Sequence, residues 1–204
     1  TRSGNPTRDL LGEALADLEN GYGAVVPATG MAAVTLVLQL CKPDDLIFAP
    51  HDCYGGTYRL LNQLKLREVI NAEFHNQLNE DFIEKILSRK PKLVWIETPS
   101  NPLLRITDIV KITAAAHQVG TVVVVDNTFL SPALQQPLNL GADIVIHSTT
   151  KYINGHSDVV GGAVIAKSQE HFEYLKYWAN CLGLTASPFD SYLTLRGLRT
   201  LKAR

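Results

Sequence analysis

A chain of 204 residues with 46% hydrophobic and 19% charged residues has ordinary globular composition, which excludes a disordered polyelectrolyte. Nineteen Lys and Arg against 20 Asp and Glu leave a formal net charge of −1, with no basic excess to drive nucleic-acid binding. Its 3 cysteines, Cys41, Cys53 and Cys181, are an odd number without CxxC spacing, which argues against a disulfide framework or a zinc knuckle and fits a reducing, cytoplasmic setting.

In chain order, helix and strand patterns alternate. Asn5-Pro6 precedes Leu10, Leu11, Ala14, Leu15 and Leu18 at helical spacing, with Asn20-Gly21 as the stop. Ala24–Val26 reads as a short strand, and Thr29-Gly30 opens an apolar helix from Met31 to about Leu40. Leu46–Phe48 is a strand closed by Pro50; Gly55-Gly56 leads a helix carrying Tyr58, Leu61 and Leu64. Ile70–Phe74 reads as a strand, residues 79–89 as a helix, and Leu93–Glu97 as a buried strand ending in Thr98-Pro99-Ser100-Asn101-Pro102. Thr107 or Asp108 caps a helix that runs to His117 and stops at Gly120. Thr121–Asp126, Asp143–Ser148 and Gly161–Ala166 read as strands; residues 170–180 and 190–202 read as helices.

These patterns give seven strands, most of them apolar on both faces. Such strands belong in a mostly parallel sheet covered by helices on both sides, so the expectation is one α/β domain over residues 1–204. No apolar run approaches the roughly 20 residues that span a bilayer. The chain opens without Met or a signal segment and stops inside a helical pattern, so both ends read as interior to a longer protein.

In open α/β sheets ligands bind beyond the carboxyl ends of the strands. The polar residues there are Glu97, Asp126 and Ser148, followed by Thr149, Thr150 and Lys151. Four valines deliver Asp126 to that edge, where a buried carboxylate needs a partner; the alternative is a turn cap through Asn127-Thr128. A lysine such as Lys151 can be a Schiff-base nucleophile, although a lone lysine is more often a solvated one. Ser148 and Thr150 flank it with hydroxyls, and Gly155-His156-Ser157-Asp158 follows; this grouping suits phosphate oxygens. Thr29-Gly30-Met31 is a second phosphate candidate, because a helix start presents free amides, though a plain cap at Thr29 serves equally. Tyr54, held by Gly55-Gly56, could stack on a flat ring or be an ordinary half-buried loop aromatic. The 6 histidines show no HxxxH or HExxH spacing, so no metal site is expected. Neither GxSxG nor GxxxxGK[ST] is present to anchor a hydrolase or P-loop reading. An amine, a carboxylate, a stacking aromatic and two phosphate-binding elements together suit pyridoxal 5'-phosphate, whose ring becomes an electron sink when its nitrogen is protonated.

The segment from Asp143 to Ser157, DIVIHSTTKYINGHS, resembles the lysine signature of the Cys/Met-metabolism family of pyridoxal-phosphate-dependent enzymes. Arg2-Ser-Gly-Asn-Pro-Thr, Ala28-Thr-Gly30-Met31, Tyr54-Gly-Gly-Thr, Glu97-Thr-Pro-Ser-Asn101-Pro and Val125-Asp126-Asn-Thr extend the resemblance over essentially the whole chain. It implies an aspartate-aminotransferase-type large domain (fold type I) with a seven-stranded, mostly parallel sheet, and a smaller carboxy-terminal domain that this chain does not include. It implies that Lys151 forms the Schiff base and then shuttles protons, while Asp126 pairs with the pyridine nitrogen. Tyr54 would stack on the ring and serve as an acid/base group. Ser148, Thr150 and the amides of Gly30 and Met31 would hold the phosphate, and Asn101 would bond near the ring hydroxyl. Arg2 would reach the cofactor phosphate of a neighbouring subunit in a homotetramer built as a dimer of dimers.

The implied reaction is γ-replacement. An O-acylhomoserine, with a succinyl or acetyl group, exchanges that group for L-cysteine in methionine biosynthesis. A γ-eliminating lyase on the same residues is the nearest alternative. A cofactor-binding fragment without turnover is an alternative of another class, because the arginine expected to clamp the substrate carboxylate would lie in the smaller domain.

Overall fold

The computed structural model describes all residues, 1–204, and divides them into two compact units. The first comprises residues 1–39, 127–139 and 144–204; the second comprises residues 40–126 and 140–143. The seven strands follow the order β1-β7-β6-β5-β4-β2-β3 in a mixed sheet.

In the first unit, α1 (Pro6–Glu19) begins where Asn5 Oδ1 accepts the amides of Thr7 and Arg8, with Pro6 supplying a preset φ. It ends at Asn20, which takes the left-handed conformation that asparagine tolerates. Its buried stripe includes Leu11 and Leu15, and also Arg8 and Glu19. The strand β1 (Gly23–Val25) leads to α2 (Gly30–Val37), capped by Thr29 Oγ1 on the Ala32 amide. The apolar run continues beyond α2 as a 3-10 turn over Leu38–Leu40, so the expected helix reaches its length in two geometries. A four-residue α6 (Ser131–Leu134) and a 3-10 turn at Pro137–Leu140 had no counterpart in the sequence reading. The strands β6 (Ile144–His147) and β7 (Ala163–Ala166) pair antiparallel, and β7 also pairs antiparallel with β1. Two helices complete the unit: α7 (Gln169–Leu182), capped by Ser168 and closed by left-handed Gly183, and α8 (Pro188–Leu198), capped by Ser187.

The second unit is a parallel α/β layer. Its strands are β2 (Leu46–Pro50), β3 (Asn71–His75), β4 (Leu93–Glu97) and β5 (Val122–Asp126). The pairings of β3 with β2, β2 with β4 and β4 with β5 are all parallel. Between them run α3 (Gly55–Leu66), α4 (Phe82–Arg89) and α5 (Ile109–Gln118), the last capped by Asp108. The fourth helix starts three residues later than expected, because residues 79–81 form a turn in which Asn79 O accepts the Phe82 amide. Trp95, Phe48, Phe82, Leu61 and Ile86 are fully buried and form this unit's core. All five residues of β4 are buried, which is why that strand reads as continuously apolar up to Glu97.

Candidate active site

The expected site residues fall into two clusters, one in each unit. In the first unit, Thr29 Oγ1 takes the Ala32 amide and Thr29 O the Ala33 amide. The amides of Gly30 and Met31 in the first turn of α2 have no acceptor in the chain. Ser148, the residue after β6, lies directly against Gly30: a Cβ at position 30 would stand 2.8 Å from Ser148 Cβ and 3.0 Å from its Oγ. Gly162 makes a second close approach, since a Cβ there would overlap the Thr29 carbonyl oxygen. Only glycine at both positions lets the start of α2, Ser148 and the segment before β7 come this close. The result is a pocket corner of unpaired donors with a helix N-terminus behind it, an arrangement that favours an anion.

Ser148 is itself placed by its amide, which donates to Thr128 Oγ1 at 2.9 Å. Thr150 uses its hydroxyl on Gly161, accepting from the amide at 3.0 Å and donating to the carbonyl at 3.3 Å. This leaves one acceptor lone pair, so Thr150 braces the cluster and offers less to a phosphate than Ser148 does. Lys151 donates its amide to Ser148 O at 3.3 Å; its side chain is exposed and no group in the chain pairs with its amine. Arg2 is exposed, and its carbonyl is gripped by Arg8 Nη2 at 3.2 Å.

Within the segment Gly155–Asp158, expected beside the phosphate group, Asp158 is engaged by other side chains. Asp158 accepts from Arg196 Nη2 at 2.6 Å and from Asn154 Nδ2 at 2.8 Å, tying the loop after Lys151 to α8. Its carboxyl is held below the usual range by the Asn154 bond and then by Arg196.

The second cluster sits at the carboxyl edge of the parallel strands. Glu97 closes β4 in register with Asp126, which closes β5. Its side chain accepts two amides, from Tyr54 to Oε2 at 2.7 Å and from Asn101 to Oε1 at 2.8 Å. Beside it, Asp52 accepts from Ser100 Oγ at 2.8 Å, and Arg105 Nε lies 3.8 Å from the same carboxylate. Burial pushes the Glu97 carboxyl up to about 8; the Asp126 charge pushes the same way, and the two amide bonds oppose it. Burial, then Glu97, pushes the Cys53 thiol up to about 12, which leaves it an unreactive thiol. Tyr54 is the N-cap of α3 without any side-chain cap bond, and its ring is 48% exposed at the edge.

From sequence Glu97 stands only as a polar strand end, without a role. The available signal was its position: like Asp126, it terminates an otherwise apolar strand. Its partner Tyr54 lies 43 residues away in sequence, so the contact itself could not be read. No group of three or more His, Cys, Asp or Glu is placed to hold a metal, and no helix is long and apolar enough to cross a membrane.

The residues of the first cluster fit a phosphate-bearing group held near an amine. In the first unit these are orphan amides and a hydroxyl for an anion, with an unpaired amine three residues on; taken by itself, the second unit presents an exposed tyrosine and strand-end carboxyls. Residues 1–204 match the family model for Cys/Met metabolism PLP-dependent enzymes, and the chain belongs to that family. The cystathionine gamma-synthase of Escherichia coli is 58% identical over 205 residues, covering 100% of this chain and 53% of the relative. The cystathionine gamma-lyase of Bacillus subtilis is 43% identical over 204 residues, covering 100% of this chain and 54% of its own. Among solved structures, cystathionine gamma synthase from Xanthomonas oryzae pv. oryzae in complex with aminoacrylate and cysteine is 60% identical with a TM-score of 0.98, again over 100% of this chain and 53% of that one. The chain spans about half the length of the curated relatives it matches.

Proposed function

We propose that this chain is the cofactor-binding large domain of a pyridoxal-phosphate-dependent cystathionine gamma-synthase. The reaction would exchange the acyl group of an O-acylhomoserine for L-cysteine. The observation that carries the reading is the anion corner at Gly30, Met31 and Ser148, with the amine of Lys151 three residues further on in the same unit. The synthase assignment within the family is supported by two synthases at 58% and 60% identity; other synthases at 43% and 46% stand beside lyases at 43% and 44%.

Pyridoxal phosphate, when bound, supplies an electron sink that acidifies the carbons next to the amine of a bound amino acid. Gly30 and Met31 would donate their amides, and Ser148 its hydroxyl, to the phosphate. Asp126 would keep a proton on the ring nitrogen by its charge. Tyr54 would cover one ring face, and Asn101 would donate near the ring hydroxyl. Lys151 would hold the cofactor before substrate arrives; once displaced, its Nζ would carry protons between substrate carbons. Tyr54 O–H stands as a second proton carrier. Arg2 would serve the phosphate of a neighbouring copy in a homotetramer.

The test is an assay of the natural protein with O-succinylhomoserine or O-acetylhomoserine and cysteine, followed by detection of cystathionine. The reading expects cystathionine formation, and a loss of about 10²- to 10⁴-fold in Lys151→Ala from the missing proton carrier alone. Cleavage of cystathionine without any synthesis would assign the chain to the lyases instead.

A further inference from the structure

We infer that Glu97 is the positioning residue for both groups that meet the cofactor ring in the second unit, Tyr54 and Asn101; this rests on the function proposed above. The two oxygens of one carboxyl each take one backbone amide, at 2.7 Å and 2.8 Å. One amide belongs to the loop after β2 and the other to the loop after β4, so a single side chain sets the separation of two loops. Neither side chain is consumed by the arrangement. The Tyr54 ring remains 48% exposed, and no group in the chain binds the Asn101 amide side chain. At the start of α3 no side-chain cap is present; the Tyr54 carbonyl takes the Tyr58 amide at 3.0 Å, and Glu97 alone takes the Tyr54 amide.

The choice of residue type follows from the two amides. Two N–H donors need two acceptors on one rigid fork, which glutamate offers fully once it is ionised. Glutamine has the same shape with a single acceptor, and its own N–H2 would confront the second amide. Aspartate keeps the fork on a shorter arm. Glu97 is 5% exposed and both bonds are part-buried, so water would compensate an amide that lost its acceptor only in part. The groups facing the carboxyl are Asp126 in register on β5, Asp52 and Cys53 from the loop after β2, and the two amides. A cation held against Asp126 would relieve the repulsion that Glu97 feels and strengthen its hold on both loops.

The experiment measures pyridoxal-phosphate affinity and the induced circular dichroism of its visible band in the natural protein. Measured above pH 8, where the Glu97 carboxyl is ionised and both its oxygens accept, Glu97→Gln should weaken binding by roughly 10- to 100-fold, the equivalent of losing a hydrogen bond to a charged group. The induced dichroism should fall with it, and Glu97→Asp should restore part of both. In a Tyr54→Ala, Asn101→Ala background, adding Glu97→Gln should change affinity by less than about 2-fold, because the groups it positions are gone. Unchanged affinity and dichroism in Glu97→Gln would overturn the inference, as would a full multiplicative loss in the double background. If Glu97→Gln does not fold, Glu97→Asp is carried through the same cycle with the same criteria. A wild-type protein that shows no cofactor band would instead remove the reading on which the inference rests.

Discussion

The two clusters handle charge in opposite ways. The first unit offers hydrogen-bond donors that nothing in the chain satisfies: the amides of Gly30 and Met31 beside the Ser148 hydroxyl. It does so with backbone, made possible by glycines that let segments touch. The second unit instead gathers carboxyl groups, Glu97, Asp126 and Asp52, at one strand edge, and restrains them with amides and Arg105. An anion corner built from backbone is cheap to keep empty, because exposed amides at a helix start can be solvated. A buried acid among like charges is costly: burial, then the Asp126 charge, raises the proton affinity of Glu97. The contrast teaches that one cluster is governed by close packing and the other by ionisation, so different perturbations should break them.

The largest effect should come from the core under the acidic edge. Trp95 is fully buried in β4, two residues before Glu97, and Trp95→Ala should cost about 3–5 kcal/mol in chemical denaturation. The next is a pH effect specific to the second unit. The folded protein keeps Glu97 protonated up to about pH 8, whereas an ordinary glutamate lets its proton go near 4.5. The folded state therefore binds more protons than the unfolded state between those values, and stability must fall as pH rises through that window. Denaturation midpoints should drop from roughly pH 5 to pH 9 by an amount on the order of a few kcal/mol, and Glu97→Gln should flatten the slope. A slope that survives in Glu97→Gln would place the titrating group elsewhere.

Packing is the lever on the first unit. Gly162→Ala drives a Cβ into the Thr29 carbonyl and must displace the start of α2. About 1–3 kcal/mol of stability should be lost, together with affinity for inorganic phosphate, and neither loss should depend on pH. The smallest effect is expected away from both clusters. Glu73 has its carboxyl lowered by the Arg89 hydrogen bond, with Arg89 Nη2 2.8 Å from Oε1 on a partly exposed surface. Glu73→Gln should change stability by no more than about 1 kcal/mol and leave cofactor affinity untouched; a larger change would show that the clusters are not the sensitive regions.

Much of the first cluster was legible in the chain, because its determinants are local. Thr29-Gly30-Met31 is a helix start, and Ser148-Thr-Thr-Lys151 follows an apolar strand. What could not be read was the use of each hydroxyl. Thr150 turns to Gly161, and Asp158 is taken by Arg196, contacts set by packing between distant segments. In the second cluster Asp126 stood out and Glu97 did not, although the two close neighbouring strands in register. A strand-end carboxyl reveals itself as a positioning group only when its amide partners, 43 residues and 4 residues away, are seen. The strands themselves were found, but the reversed direction of β7 was not, since an apolar strand reads the same either way. The helix α6 is a single turn containing Pro132, too short for any periodicity to register.

The buried set behind the first cluster was missed for the same reason. Glu19 Oε1 lies 2.6 Å from His147 Nε2 and accepts from Asn127 Nδ2 at 2.9 Å, with all three residues fully buried. It ties α1 to the residue before Ser148 and to the residue after Asp126. The helical spacing that marks α1 carries no signal for Glu19, whose partners lie more than 100 residues away.

The central claim, that Lys151 holds pyridoxal phosphate, is tested most directly by the visible absorbance of the purified protein with added cofactor, before and after borohydride, alongside Lys151→Ala. The account predicts a Schiff-base band that borohydride abolishes in the wild type, trapping the cofactor on Lys151, and no such band in a folded Lys151→Ala protein. A borohydride-sensitive band that persists in Lys151→Ala, or a folded wild type that forms none, would contradict it.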